Sequence, residues 1–208
     1  MRLRIHFSKT EAMRYTGHLD LHRSWERTFR RARLPLAYSQ GFHPQPRINL
    51  ACALPLGFTS QAELVDVWLE ETLPLDNIQA VLDEAVPPGV KIHAITCADL
   101  KLPSLQSQVM SAEYEIQFLE ETPDLLPRVQ ALLEASSLPR ERREKPYDLR
   151  SLIEKIVILP ADTPGAGRLQ ICMKAQAGAT GRPEELIAAL GYDPSTARVH
   201  RTRINLQE

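Results

Sequence analysis

Apolar and polar residues alternate at the start of the chain, where polar side chains separate Leu3, Ile5 and Phe7. A period of two predicts a half-buried β-strand over residues 2–8. Further along the chain, the spacing of apolar residues becomes that of a helix. Thr16 is the expected N-cap of this helix, and Asp20 lies in its first turn. The first hundred residues continue with a helix over residues 17–33, strands over 48–54 and 64–69, a helix over 76–85 and a strand over 90–97.

The same order of elements recurs in the second half, although the two halves share no detectable sequence identity. The pattern predicts a strand over residues 112–119, a helix over 123–135, strands over 156–159 and 169–174, a helix over 183–190 and a strand over 197–206. The middle two strands are joined by a Gly- and Pro-rich turn over residues 164–167. The alternating charges of residues 140–155 indicate an exposed helical extension or a mobile loop.

The order strand–helix–strand–strand–helix–strand is that of the ferredoxin-like motif. We therefore predict an α+β protein with two ferredoxin-like βαββαβ units in tandem, each built on an antiparallel sheet. The first unit covers residues 1–100 and the second covers residues 109–208, with a polar linker over residues 101–108. Helices would cover one face of each sheet, and the other face would be free for a partner.

The helix over residues 17–33 has two distinct faces. At 100° per residue its apolar side chains fall within an arc of about 100°, which predicts a face buried in the core. Arg23, Arg27 and Arg30 lie on the opposite face. Three exposed arginines can each hold a phosphate with two hydrogen bonds, or they can be solvated and partly neutralised by Glu26 and Asp20. The residues of the apolar face are Leu21, Trp25, Thr28, Phe29 and Ala32.

Residues 34–47 have no predicted helix or strand, and such long segments in compact domains are usually functional or disordered. We interpret this one as ordered, because Pro44 and Pro46 stiffen it and Gly41 permits a positive φ. The side chains suited to single-stranded nucleic acid, by stacking or by hydrogen bonding, are Tyr38, Gln40, Phe42, His43 and Arg47. The alternative is that Tyr38 and Phe42 pack beneath the loop as a small satellite core.

Charge is distributed unevenly along the chain, although the net charge is −1. Residues 1–50 contain ten Lys and Arg against three Asp and Glu, whereas residues 51–100 contain one Lys against eight Asp and Glu. This asymmetry favours a nucleic acid or an acidic protein as partner. The alternatives are that the two patches face each other or that the charges form an ordinary solvated surface.

Composition excludes several classes of protein. A chain of 208 residues with 43% hydrophobic and 25% charged residues is ordinary for a globular protein and is not collagenous, low-complexity or disulfide-rich. No apolar run is long enough to span a membrane, and residues 1–7 lack the apolar segment of a secretory signal, so we expect a cytoplasmic protein. The spacing of Cys52, Cys97 and Cys172 fits neither a zinc site nor a disulfide framework. His18 and His22 have the spacing of two metal ligands, but no third ligand follows in register.

Several short motifs resemble those of a known family along nearly the whole chain. They are Ser8-Lys9, Gly17-His18-Leu19-Asp20, the basic helix, residues 37–47, Leu54-Pro55-Leu56-Gly57, Tyr147-Asp148-Leu149-Arg150, Arg182-Pro183-Glu184-Glu185 and Arg201-Thr202. Together they resemble the radical SAM-linked proteins of the DUF2344 family. Members of that family are uncharacterised, are encoded beside or fused to a cobalamin-type radical SAM protein, and often lie near a ribonuclease of the E/G type and ribosomal-protein genes.

The resemblance implies an iron–sulfur radical SAM protein as partner and an RNA or ribosome context, but it implies no activity. Because this chain has no CxxxCxxC motif, the resemblance assigns the iron–sulfur site to that partner.

Three functional hypotheses remain open at this point. The first is a non-catalytic adaptor that binds RNA and presents it to the radical SAM enzyme. The second is a protein–protein module that docks on that enzyme through the same basic surface, and the third is a metal-independent endoribonuclease with His43 as general acid or base. We expect no cofactor or metal in the chain itself. The residues predicted to bind nucleic acid or a partner are Lys9, Arg23, Arg27, Arg30, Tyr38, Gln40, Gly41, Phe42, His43 and Arg47.

Overall fold

The computed structural model describes residues 1–142, 144–161 and 165–207. The chain divides into two compact units, Met1–Gln108 and Val109–Glu208. Both units combine α-helices with antiparallel β-sheet. Pro164, the first residue of the predicted Gly- and Pro-rich turn, lies outside the described residues.

The first unit contains, in chain order, β1 (Arg2–Lys9), α1 (His18–Arg31), β2 (Ile48–Leu50), β3 (Thr59–Trp68), α2 (Leu75–Ala85), β4 (Val90–Ala98) and the short α3 (Leu105–Gln108). Its four strands are antiparallel neighbours in the order β2-β3-β1-β4. The prediction for β2 extended it to residue 54 and is wrong in length, because the chain bends at Ala51 and Cys52. The connection from β2 to β3 therefore begins earlier than the sequence pattern indicated.

Helix α1 begins one residue after Gly17, which is extended and caps the helix without a side-chain hydrogen bond. The prediction of Thr16 as the N-cap is therefore wrong. At the other end Arg33 has a φ of 54°, in the left-handed region that a right-handed helix cannot continue. The helix ends there, and Leu34 donates its N–H to the carbonyl of Phe29.

The alternation in β1 buries every second side chain beneath α1. Leu3, Ile5 and Phe7 are fully buried. The Phe7 ring and Trp25 of α1 form a T-shaped contact at a centroid distance of 4.8 Å, and Trp25 stacks on Phe29 at 5.2 Å. Trp25 is only 1% exposed, so the predicted apolar face of the helix is confirmed as core.

Arg2 and Arg4, on the opposite face of β1, are also largely covered. Arg2 donates two hydrogen bonds to Asp66 of β3, at 2.8 and 2.6 Å, and Arg4 donates to the same carboxylate at 2.9 and 3.0 Å. Arg2 also donates to the carbonyls of Leu102 and Pro103. Residues 101–108, predicted as a linker, therefore pack against the unit, and this part of the sheet face is not free for a partner.

The second unit contains β5 (Val109–Phe118), α4 (Leu125–Glu134), β6 (Pro139–Arg142), β7 (Lys145–Asp148), β8 (Ile153–Leu159), β9 (Arg168–Gln176), β10 (Ala179–Thr180), α5 (Pro183–Ala189) and β11 (Ala197–Leu206). Strands β8, β9, β5 and β11 are antiparallel neighbours in that order. Strand β10 pairs with the last residues of β9, and β6 and β7 form a separate hairpin. Alternate residues of β5 and β9 are buried and contribute to the core of this unit.

The predicted exposed helix or mobile loop covers residues 140–155, of which Arg143 lies outside the described residues. The structure instead has the hairpin of β6 and β7 in this segment. A 3-10 turn at Arg150–Leu152 follows it. Asp148 fixes the end of the hairpin, because its carboxylate accepts hydrogen bonds from the N–H groups of Leu138 at 2.7 Å and Arg150 at 3.0 Å. The bond from Leu138, followed by the bond from Arg150, lowers the pKa of Asp148 below its ordinary value. The prediction for this segment is therefore wrong.

Candidate nucleic-acid interface

Residues 37–47, which we call the finger, fold back on themselves as an ordered hairpin. Arg47 donates its N–H to the carbonyl of Ala37 at 2.8 Å, and Ser39 donates its N–H to the carbonyl of Gln45 at 2.8 Å. The Ser39 hydroxyl accepts a further hydrogen bond from the N–H of Gln45 at 3.0 Å. The finger therefore presents its side chains on a defined backbone.

The base of the finger is bonded to the end of β3. Ala37 donates its N–H to the carbonyl of Trp68 at 2.8 Å, and Trp68 donates its own N–H to the carbonyl of Arg47 at 3.1 Å. The Arg47 guanidinium lies 4.8 Å from the centre of the Trp68 ring, in the geometry of a cation–π contact. Arg47 is exposed but oriented, so it can donate hydrogen bonds at the base of the finger.

The aromatic side chains of the finger project into solvent. Phe42 is fully exposed, with a relative accessibility of 102%, and Tyr38 is 41% exposed. The satellite-core alternative is therefore wrong for Phe42. Gly41, directly before it, has a φ of 125°, which only glycine adopts without strain. A residue with a Cβ at this position would disturb the backbone that presents Phe42.

Three arginines of α1 occupy the exposed face opposite Trp25. The side chain of Arg23 is 67% exposed and lies 3.4 Å from Asp20, while that of Arg30 is 57% exposed and lies 2.8 Å from Glu26. Arg27, between them, is also exposed. Exposed ion pairs within a helix contribute at most about 1 kcal/mol, so a phosphate can replace these carboxylates at low cost.

The finger and α1 are adjacent at the edge strand β2. The ring nitrogen Nε2 of His22 on α1 lies 3.5 Å from the carbonyl of Ile48, the residue that follows the finger. Helix α1 and the segment that follows the finger are therefore neighbours in the first unit. We call this set of residues the basic surface: Arg23, Arg27, Arg30, Tyr38, Gln40, Phe42, His43 and Arg47, all of which are exposed.

Lys9 does not belong to the basic surface. It is 1% exposed, and its ammonium group donates to the carbonyls of Arg14 at 3.2 Å and Phe58 at 3.0 Å. Its charge therefore stabilises the turn before β3 and cannot reach a partner. The sequence analysis also missed the buried cluster of Arg2, Arg4 and Asp66, whose only signal was an acidic residue inside an apolar strand.

Two further features of the described residues concern metal ligands and membrane-spanning helices. No three His, Cys, Asp or Glu side chains among residues 1–142, 144–161 and 165–207 come together in the arrangement of a metal site. Within the same residues, none of the helices has the length and apolar composition needed to cross a membrane.

The chain belongs to the family DUF2344, an uncharacterised protein family conserved in bacteria, whose model matches residues 2–183. No curated protein sequence matches it. A chain in the crystal structure of a Cbf5–Nop10–Gar1 complex has a similar fold, with a TM-score of 0.53 and 10% identity over 97% of this chain and 48% of that chain. A chain in the archaeal box H/ACA sRNP Nop10–Cbf5 complex matches with a TM-score of 0.43 and 12% identity over 88% of this chain and 43% of that chain. This chain spans about half the length of the chains it matches, and at these identities the likeness is one of fold alone.

Proposed function

We propose that this member of DUF2344 is a non-catalytic adaptor that binds RNA through the basic surface and works with a separate radical SAM enzyme. The observation that carries the proposal is Phe42, a fully exposed aromatic ring on an ordered hairpin. An apolar ring in water gives a folded monomer no packing energy, so its place on a fixed backbone favours a binding role. Stacking on an RNA base is one such role.

The chemistry around Phe42 matches single-stranded RNA. Aromatic rings stack on bases and contribute about 1–3 kcal/mol per base, while arginines bind the phosphates between them. Tyr38 and His43 supply two further rings on the finger, and Arg47 lies at its base. The arginines of α1 add further positive charges that can bind phosphates outside the finger.

The radical SAM enzyme is part of the proposal because of the resemblance described above. The three cysteines of this chain, Cys52, Cys97 and Cys172, lie in separate segments of the two units and are not spaced as cluster ligands. In the proposal, the partner therefore carries the iron–sulfur cluster, and this chain binds the RNA and presents it to that partner.

We also classify both units as ferredoxin-like within this proposal. The order β2-β3-β1-β4 in the first unit and the order β8-β9-β5-β11 in the second each place the first and third strands of a βαββαβ unit at the centre of the sheet. Antiparallel pairing between all these neighbours supports the classification.

A second candidate is a docking module for the radical SAM protein, and a different group of exposed side chains favours it. Tyr15, Leu19 and Leu56 are all exposed apolar residues. Tyr15 and Leu56 lie near one another, because Arg14 donates from Nε to the carbonyl of Gly57 at 2.8 Å and thereby joins the residue before Tyr15 to the residue after Leu56. This patch, which we call the apolar patch, suits a protein surface better than a phosphate backbone.

The experiment measures affinity for a labelled single-stranded RNA of mixed sequence by fluorescence anisotropy at several salt concentrations. Phe42→Ala should weaken binding by about 1–3 kcal/mol without changing the melting temperature, since the ring is exposed in the free protein. Arg23→Glu with Arg27→Glu should abolish binding and leave the fold intact. Arg198→Glu with Arg203→Glu, an equal charge change on exposed positions of β11, is the matched control and should retain most of the affinity.

The other hypotheses predict different results from the same proteins. If the chain only docks on the enzyme, the RNA does not bind, and Tyr15→Ala with Leu56→Ala abolishes capture of the radical SAM protein. If it is an endoribonuclease, His43→Ala binds RNA normally and loses cleavage. Normal RNA binding by both Phe42→Ala and the double arginine variant would refute the adaptor proposal.

A further inference from the structure

A cavity of about 610 Å³ lies in the second unit, between the hairpin of β6 and β7 and the turn that joins β9 to β10. Tyr147 and Asp148 line one side of it, and Gly178 and Arg182 line another. Two of the sequence motifs described above, one at residues 147–150 and the other at residues 182–185, therefore meet at one cavity although they are distant in the chain. The basic surface of the first unit uses neither motif.

Arg142 forms a rigid wall of this cavity. Its guanidinium donates to the Glu185 carboxylate, with Nη2 at 2.6 Å and Nε at 3.2 Å, and Nη1 donates to the carbonyl of Thr180 at 3.1 Å. The same guanidinium lies 4.9 Å from the centre of the Tyr147 ring. The hairpin is thus tied to α5 and to β10, so the shape of the cavity does not depend on a bound molecule.

The cavity carries an excess of positive charge. Arg142, Lys145 and Arg182 line it together with a single acidic residue, Asp148. Asp148 is already bonded to two backbone N–H groups, and Arg142 is neutralised by Glu185. Lys145 and Arg182 are exposed, and neither forms an ion pair within the described part of the chain. Two cations therefore remain for a ligand.

We propose that this cavity is a phosphate-binding site in which Lys145 and Arg182 hold the phosphate group against the fixed wall of Arg142 and Tyr147. Its volume lies within the range of about 300–1,000 Å³ that is typical of small-molecule sites, so it is large enough for a mononucleotide. The turn before Arg182 allows close approach, because Gly178 has no side chain and a φ of 83°. The phosphate comes either from a free nucleotide or from the 5′ end of an RNA strand.

The site is tested with the full chain by isothermal calorimetry and by amide chemical shifts. The probes are inorganic pyrophosphate, AMP and two short RNA oligonucleotides of identical sequence, one with a 5′-phosphate and the other with a 5′-hydroxyl. The test variant is Lys145→Gln with Arg182→Gln. The matched control is Lys155→Gln with Arg198→Gln, which removes two exposed charges elsewhere in the same unit.

The proposal expects a phosphate probe to shift the amides of Lys145, Gly178 and Arg182 in the parent chain. The test variant should weaken binding at least about tenfold, because it removes two charged hydrogen-bond donors, and the control should not. Binding of AMP identifies a free nucleotide as the source. Binding only of the 5′-phosphorylated oligonucleotide identifies an RNA end. No shift with any probe, or equal losses in the test variant and the control, would overturn the proposal.

Discussion

The cluster of Arg2, Arg4 and Asp66 provides the sharpest test of how the first unit is stabilised. Asp66 is 0% exposed and accepts hydrogen bonds from both guanidinium groups. Arg2 is 1% exposed, and its remaining N–H groups donate to the carbonyls of Leu102 and Pro103. Asp66→Asn keeps the size of the side chain but removes the one negative charge between two buried or half-buried cations.

The loss in the free energy of unfolding depends on which charges Asp66→Asn leaves without a partner. Removal of one partner from a buried ion pair typically costs about 3–5 kcal/mol, because it leaves an uncompensated charge in a medium of low dielectric constant. Here the side chain of Arg2 cannot move into water without breaking its bonds to Leu102 and Pro103, whereas that of Arg4 is 12% exposed and can be hydrated in part. We therefore expect Asp66→Asn to lower the free energy of unfolding by about 3–5 kcal/mol.

Urea unfolding followed by circular dichroism measures this loss. Glu70→Gln is the matched control, since Glu70 is an exposed carboxylate close to the end of the same strand and should change the free energy of unfolding by less than about 0.5 kcal/mol. A loss below about 1 kcal/mol for Asp66→Asn would refute the reasoning, because it would mean that water reaches both guanidinium groups.

Three further predictions concern single side chains. Trp25→Ala should lower the free energy of unfolding by about 3–5 kcal/mol in urea melts, and a loss below about 1 kcal/mol would contradict its place in the core. Burial raises the pKa of Cys172 to about 11, so an alkylating reagent at pH 8 should modify the exposed Cys97 well before Cys172, and equal rates would contradict this. Burial, followed by the charge of Arg4, lowers the pKa of His6, so the unfolded chain binds the proton first. Stability should therefore fall as the pH decreases below 6.5, the ordinary pKa of histidine, and His6→Gln should flatten that decline in pH-dependent melts.

The regular elements could be predicted where one face of an element is buried. Strand β11 has the predicted bounds, residues 197–206, and Trp25 and Phe29 lie on the buried face of α1 as their spacing indicated. In both cases the apolar period is the direct consequence of one-sided burial. These elements can be predicted from the sequence because the apolar or polar character of each residue indicates whether its position is buried or exposed.

The buried polar contacts could not be predicted, because each depends on a partner far along the chain. Arg2 and Arg4 occupy the polar positions of an amphipathic strand, and only their pairing with β3 places them beside Asp66. Lys9 likewise resembles a surface lysine in the sequence. Its bond to the carbonyl of Phe58 exists only in the folded unit.

The two hairpins without an apolar period were missed for a related reason. The finger is held by bonds between backbone groups and Ser39, and the hairpin of β6 and β7 is held by Asp148 and by the contact of Arg142 with Glu185. Hydrogen bonds and ion pairs of this kind leave no pattern of hydrophobic residues. The alternating charges of residues 140–142 are the alternating faces of a strand, which a charge pattern alone does not distinguish from a helix.

The structure also limits how strongly salt can affect RNA binding by residues 1–50 of the first unit. Of the ten Lys and Arg in residues 1–50, five donate to Asp66 or to backbone carbonyls: Arg2, Arg4, Lys9, Arg14 and Arg31. The five that remain are exposed, namely Arg23, Arg27, Arg30, Arg33 and Arg47. Each phosphate neutralised on a single strand contributes about 0.7 to the slope of log affinity against log salt, so the slope that these five arginines produce should not exceed about 3.5 in magnitude. A steeper slope in the parent chain that Arg23→Glu with Arg27→Glu leaves unchanged would place the phosphate contacts outside the basic surface.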